Sequence, residues 1–383
     1  MTKKPYILSL SLCSLLLLAM LALPKNSEQT TLPSPARPDT APAAQPTAAA
    51  SAPAQSSVAT PGVTATQPTV ATLPTPSEKP VAKLEAQKQG DRIITKDGRS
   101  FPLRQYKTML TPNDPLYNQW WVAPNNMTSV WDIPAGARQT TVAVIDTGFA
   151  LDHQEFVGRW AINPGEADEL ATNGIDDDGN GFIDDWRGWD FTSNTNSAQA
   201  GKTNPEGEGT THGTMVAGIL GATGNNGVGI AGVNWHTKIL PLQALDDDEY
   251  GDSFTVGESI YYAADQGVDV ISISLGTPSD DPYIRLAIRY AIDRGSIVVA
   301  ASGNDGCNCI SYPANYPEVL AVGAIAPTGN PATFSSFGTH LDLLAPGQSM
   351  TAPFWSAANQ TSSYANNIAG TSFATPFTAG LLA

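Results

Sequence analysis

The sequence predicts an α/β fold, a three-layer α/β/α sandwich with a parallel sheet, and three observations carry that prediction. Short, apolar, β-branched runs recur at residues 140–145, 239–242, 268–275, 297–301 and 319–324, each with the length and composition of a strand buried on both faces. Between them lie helical segments with their own start and stop signals. One is expected from Ser253 as N-cap towards Gln266, ended by Gly267, and one opens at Asp281-Pro282 and stops before Gly295. The second puts Ile284, Ala287, Ile288, Ala291 and Ile292 on one face, the stripe of a helix laid against a sheet. Strand alternating with helix means crossover connections, hence parallel βαβ units. No internal repeat is visible.

Taken in order, the chain changes character three times before that pattern starts. Lys3 and Lys4 precede an apolar run over residues 6–23, a charged n-region and hydrophobic stretch that read as an export signal. At about 18 residues the run sits at the short end of what spans a bilayer, and no clean small-x-small cleavage site follows. Residues 1–26 therefore read as a signal peptide or a membrane anchor, with both alternatives open; Leu12 before Cys13 argues against a lipoprotein site. Residues 27–82 are Ala, Pro, Thr and Ser with few large apolar groups, a linker that cannot bury enough surface to offset the entropy of ordering it. Residues 83–110 form a short extension with at most a small hairpin around 92–98. The compact domain is expected over 111–383, with Trp120, Trp121 and Trp131 fastening its start to the core. Its last helix still looks unfinished at Ala383, so the domain is expected to continue past this sequence.

Charge divides along the same boundary. Residues 111–383 carry 30 acidic and 8 basic residues, a net of −22, against +6 for the first 110. So acidic a domain argues against nucleic acid as a partner and suits a soluble, metal-tolerant protein outside the cell.

Three stretches carry chemistry. The 140–145 run ends in Asp146-Thr147-Gly148, which places a carboxylate beyond the carboxyl end of a strand, where open α/β sheets put their functional groups. His212-Gly213-Thr214, containing one of only four histidines, opens a helix of small residues that can pack closely on a sheet. Gly370-Thr371-Ser372-Phe373-Ala374-Thr375-Pro376 sets a hydroxyl at a helix N-terminus, where unpaired N–H groups favour developing negative charge, with Pro376 expected in the first turn, where its missing donor is tolerated. These stretches are ambiguous singly: the serine also reads as an N-cap and the histidine as structural. In combination they supply a nucleophile, a base and an orienting acid. A fourth stretch, Ala301-Ser302-Gly303-Asn304, ends an apolar strand in a carboxamide able to donate to an oxyanion.

These stretches resemble the signature motifs of the subtilisin-like serine proteases, the subtilases, in that family's Asp…His…Ser order, over roughly residues 112–383. The resemblance implies a subtilisin-like fold, and a serine endopeptidase with Ser372 as nucleophile, His212 as general base, Asp146 as its orienting acid and Asn304 in the oxyanion hole. It implies a substrate cleft lined by Ser274, Leu275 and Gly276 and by Ala301, Ser302 and Gly303, polypeptide substrates and a monomeric enzyme. A catalytically inactive scaffold on the same fold is the alternative; degenerate triads would mark it, and every triad position here is occupied. Two departures, Phe377 where the family has histidine and Thr378 where it has valine, lie past the nucleophile and concern packing. The linker cannot serve as the folded inhibitory propeptide common in the family.

Two further features stand apart. In residues 173–185, Asp176, Asp178 and Asn180 alternate ahead of Gly181, like the first half of an EF-hand loop. Arg187 occupies the twelfth loop position where glutamate is expected, so Asp184 or Asp185 would have to close a structural Ca²⁺ site; the expected ligands are Asp176, Asp178, Asn180 and Asp185. The run Asp246-Asp247-Asp248-Glu249 lacks that spacing and reads as an exposed turn. Cys307 and Cys309, two residues apart, are either a small disulfide or two thiols.

Overall fold

The computed structural model describes residues 85–103, 111–133 and 139–383; the expectations for 1–26 and 27–82 lie outside them. In chain order the elements are β1 (Ala86–Gln89), β2 (Arg92–Thr95), β3 (Ser100–Pro102), α1 (Met127–Val130), β4 (Thr141–Asp146), β5 (Trp189–Asp190), α2 (His212–Gly221), β6 (Lys238–Gln243), α3 (Ser253–Asp265), β7 (Val270–Ile273), α4 (Pro282–Asp293), β8 (Ile297–Ala301), β9 (Leu320–Ile325), β10 (Leu343–Pro346), β11 (Gln348–Ser356), β12 (Thr361–Ala369) and α5 (Thr371–Leu382).

The seven strands β10-β9-β8-β7-β4-β6-β5 form one sheet in that order, with every neighbouring pair parallel. Period-two alternation along each strand feeds two separate cores. Val142 and Val144 face a cluster completed by Val216, Ala217 and Leu220 of α2 and Phe373, Ala374 and Phe377 of α5. Ala143 and Ile145 face the opposite cluster, with Val256 and Ile260 of α3 and Ala287, Ile288 and Ala291 of α4. Helices α2 and α5 therefore form one outer layer and α3 and α4 the other, the three-layer sandwich the pattern predicts.

The chain runs from β4 to β6 on one side, then crosses to β7 on the other. The strand order thus reverses at β4, and Asp146 closes that strand at the switch point, where crevices of open α/β sheets lie.

Three local details differ from the sequence reading. Helix α3 is capped by Asp252 and not by Ser253: the Asp252 carboxylate accepts from the N–H groups of Phe254 and Thr255 at 2.9 Å each, and the Thr255 hydroxyl accepts from the Asp252 N–H. One carboxylate satisfies two orphan donors, and the Ser253 hydroxyl instead donates to Asp281, the cap of α4. The strand expected over 268–275 ends its pairing at Ile273. The extension holds a three-stranded antiparallel meander, because the turn expected near Gly98 joins β2 to β3 and a second turn at Gly90 adds β1. At the start of the domain Trp121 meets Phe377 edge-on at 5.2 Å and Trp131 stacks on Trp235 at 4.9 Å.

Candidate active site

The first turn of α2 lies against the loop after β4, and glycine is what permits it. A Cβ on Gly213 would stand 2.5 Å from the Gly148 carbonyl oxygen. This approach brings His212 Nδ1 to 2.7 Å from Asp146 Oδ1. That oxygen also accepts from the Thr147 N–H at 2.8 Å, so the acid is fixed by its own backbone. Asp146 is 1% exposed. Burial works against a charged imidazole, but the Asp146 carboxylate, by charge and hydrogen bond, and the charge of Glu249 outweigh it, so the His212 pKa lies above its usual value.

Ser372 is the second residue of α5, behind Gly370. Its hydroxyl donates to the Ser274 carbonyl at 3.3 Å. Pro376 stands not in the free first turn but four residues after Ser372, within the hydrogen-bonded helix. Asn304 is oriented from behind: its Oδ1 accepts from the Thr371 N–H at 2.9 Å and the Thr371 hydroxyl at 3.0 Å. With the oxygen held there, the Nδ2 donors are left for the cleft side.

His212, Ser372 and Asn304 line one cleft of about 680 Å³ together with Ser274, Leu275 and Gly276. Ala301 and Ser302 do not reach it: both are buried behind the wall, and the Ser302 hydroxyl donates to the Ser336 carbonyl at 3.0 Å. Gly303 is also off the lining, with its N–H on Thr371 Oγ1 at 3.3 Å. The apolar lining includes Leu245, Tyr312 and Tyr316, which no sequence motif marks, and Ile284 from the apolar face of α4.

The acidic loop gathers around a residue outside it. Glu166 is fully buried; Oε1 accepts from the N–H groups of Asp177 and Asp178, and Oε2 is buried without a partner among the described residues. Carboxylate oxygens of Glu166, Asp176 and Asp178 lie within 4.8 Å of one another. The other two expected ligands are placed differently. Asp185 is buried and engaged, accepting from Asn163, Asn180 and the Tyr262 hydroxyl, while Asn180 donates its amide to Asp178 and Asp185. Asp184 binds the Gly174 N–H, and Arg187 turns to Asp152 at 3.6 Å.

A family model, that of the subtilase family, matches residues 137–383, a span that contains the aspartate, the histidine, the asparagine and the serine. The chain belongs to the subtilase family. Its enzyme class is accordingly that of a serine-type endopeptidase, a hydrolase. Thermitase of Thermoactinomyces vulgaris is 34% identical over 71% of this chain and 84% of its own length. A halolysin-like extracellular serine protease of Natrialba magadii is 31% identical over 72% of this chain but 45% of its own, so the present chain spans less than half of that relative. Among solved structures, a cold adapted subtilisin-like serine proteinase matches with a TM-score of 0.49 and 25% identity, over 65% of this chain and 78% of that one.

Two other features of this subtilase correct or complete the sequence reading. The 246–249 run is not wholly an exposed turn: Asp247 is 1% exposed and its carboxylate accepts from Gly201, Thr203 and Asn204. That anchor fixes the turn that carries Glu249, at φ 65, to the cleft wall beside His212. Cys307 and Cys309 are joined to one another. No helix among the described residues is long and apolar enough to cross a membrane; the 6–23 run lies outside them.

Proposed function

We propose that this subtilase is an exported serine endopeptidase working through Asp146, His212 and Ser372. Ser372 Oγ attacks the scissile carbonyl carbon as its proton passes to the far nitrogen of His212. The tetrahedral oxyanion takes hydrogen bonds from Asn304 Nδ2 and the Ser372 N–H. Its collapse breaks the C–N bond, the imidazolium protonates the departing amine, and an acyl-enzyme remains. Water, deprotonated by His212, then attacks the ester carbonyl; as that intermediate collapses, the imidazolium returns its proton to Ser372 Oγ and the acid product leaves. Asp146 stays ionised throughout; it holds Nδ1 in the protonated tautomer and stabilises the imidazolium, as the same triad does in subtilisin. Residues 274–276, past the last paired residue of β7, offer main-chain groups to an extended peptide, which suits broad specificity.

The observation that carries this reading is the 2.7 Å contact of His212 with a buried aspartate on the wall of the cleft that also holds Ser372 and Asn304. Casein hydrolysis tests it. Ser372→Ala should lower turnover by several orders of magnitude, and proteolysis that survives the substitution would reject the assignment.

The reading includes a structural Ca²⁺. The chemistry of the donor set fits it: three carboxylates converge, and a buried Glu166 oxygen has no partner among the described residues. Glu166, Asp176 and Asp178 would bind it, with Asn180 and Asp185 holding those ligands in place. The ion would supply positive charge among like-charged oxygens and no redox chemistry. Export rests on the charged and apolar opening of the chain.

A further inference from the structure

In an α-helix the carbonyl of one residue accepts from the N–H four residues on. For Ser372 that position is Pro376, inside α5, and proline has no N–H; its ring also crowds the carbonyl it faces. The regular helical bond to the Ser372 carbonyl is therefore missing. The donor comes from the sheet instead. Ser274 Oγ donates to the Ser372 carbonyl at 2.9 Å, and Ser372 Oγ donates back to the Ser274 carbonyl at 3.3 Å. Ser274 is 6% exposed.

The place of Ser274 gives this pair a consequence. Strands β4 and β7 are neighbours with Ile145 opposite Ile273, so Asp146 and Ser274 are the next residues along two adjacent strands in register. The acid sits on one strand end, and the residue that holds the nucleophile's backbone on the other. We propose that Ser274 is a positioning residue whose hydroxyl replaces the amide missing at Pro376, tying the first turn of α5 to the sheet so that Ser372 is held in register with Asp146. This rests on Ser372 being the nucleophile, and it differs from a role for Ser274 in touching substrate.

A double-mutant cycle tests it on the full chain, with kcat and KM read on a peptide substrate and melting curves confirming that each variant folds. Ser274→Ala should lower kcat by roughly tenfold to a hundredfold, the cost of an unsatisfied backbone carbonyl at the reacting residue, with KM little changed. In a Pro376→Ala background the new N–H at 376 satisfies the Ser372 carbonyl, and the same Ser274→Ala change should then cost less than about threefold. Equal losses in both backgrounds, or a loss confined to KM, overturn the proposal. If Pro376→Ala does not fold, Ser274→Thr decides: kcat near the parent supports the hydroxyl's role, and kcat as low as the alanine variant rejects it. Full activity in Ser372→Ala would instead bring down the catalytic reading beneath it.

Discussion

Glu166→Gln separates the metal site from a merely acidic loop, because its effect on stability should change sign with calcium. The glutamine keeps an oxygen for the N–H groups of Asp177 and Asp178 but removes the charge beside Asp176 and Asp178. In metal-free protein that relieves repulsion among carboxylates and the cost of a buried charge, so the variant should melt higher than the parent. With calcium at 100 times its dissociation constant, the parent gains about 2.7 kcal/mol, or roughly 5–11 °C for a domain of about 250 residues. A variant binding a hundredfold more weakly would gain only about 0.4 kcal/mol at the same concentration, about 1–2 °C. It should therefore melt below the parent in calcium and above it after chelation. Differential scanning fluorimetry on protein stripped of metal and then titrated reads both arms. A parent whose melting point ignores calcium, or a variant shifted the same way in both conditions, refutes the reasoning.

Asn304→Ala should lower kcat by about 100–1000-fold, a span carried over from subtilisin, a member of this family, and not worked from this geometry. Thr371→Val keeps the N–H that holds Asn304 but loses the hydroxyl bond, so stopped-assay kcat should fall by about tenfold with the fold intact; an unchanged kcat would show that the backbone bond alone orients the amide. His212 must be neutral to act as base, and its pKa is raised, so kcat/KM should fall as pH drops through a value above the ordinary histidine range. Glu249→Gln removes one of the charges that raise it, and the acid limb of the pH profile should move to lower pH; a limb that stays put or moves up contradicts the assigned influence. The same raised pKa gives stability that is complete below the unfolded histidine pKa of about 6.5 and is lost as pH rises through the folded value. Urea melts across that window, compared with His212→Ala, check the sign.

What was legible in the sequence was whatever a local pattern encodes. A buried run ending in Asp146, a helix of small residues opened by His212 and a hydroxyl after Gly370-Thr371 each announce an element and a position on it. Two-sided strands and one-sided helices together gave the layers. What was not legible depends on distant parts of the chain meeting. Glu166 lies ahead of the EF-hand-like spacing and joins it only because the loop folds back over it. Leu245 reaches the cleft from the segment after β6, and Tyr312 and Tyr316 from the segment after β8. The burial of Asp247 depends on backbone donors 43 to 46 residues away, and nothing in four successive acidic residues signals which one turns inward. The cap of α3 is ambiguous in the sequence for a local reason: Asp252 and Ser253 are both good caps, and the carboxylate satisfies two donors. The motif alone puts Pro376 in the free turn, and only the helix start at Thr371 shows that it deprives the Ser372 carbonyl of a donor.

The most direct test of the account is where a serine-directed reagent attaches. A fluorophosphonate probe reacts only with a serine activated by its base, so labelling the folded protein, digesting it and mapping the adduct asks whether the triad is assembled. One modified residue, Ser372, is expected, with labelling abolished by denaturation and reduced by orders of magnitude in His212→Ala. An adduct on another serine, or labelling at Ser372 that is indifferent to the loss of His212, would contradict it.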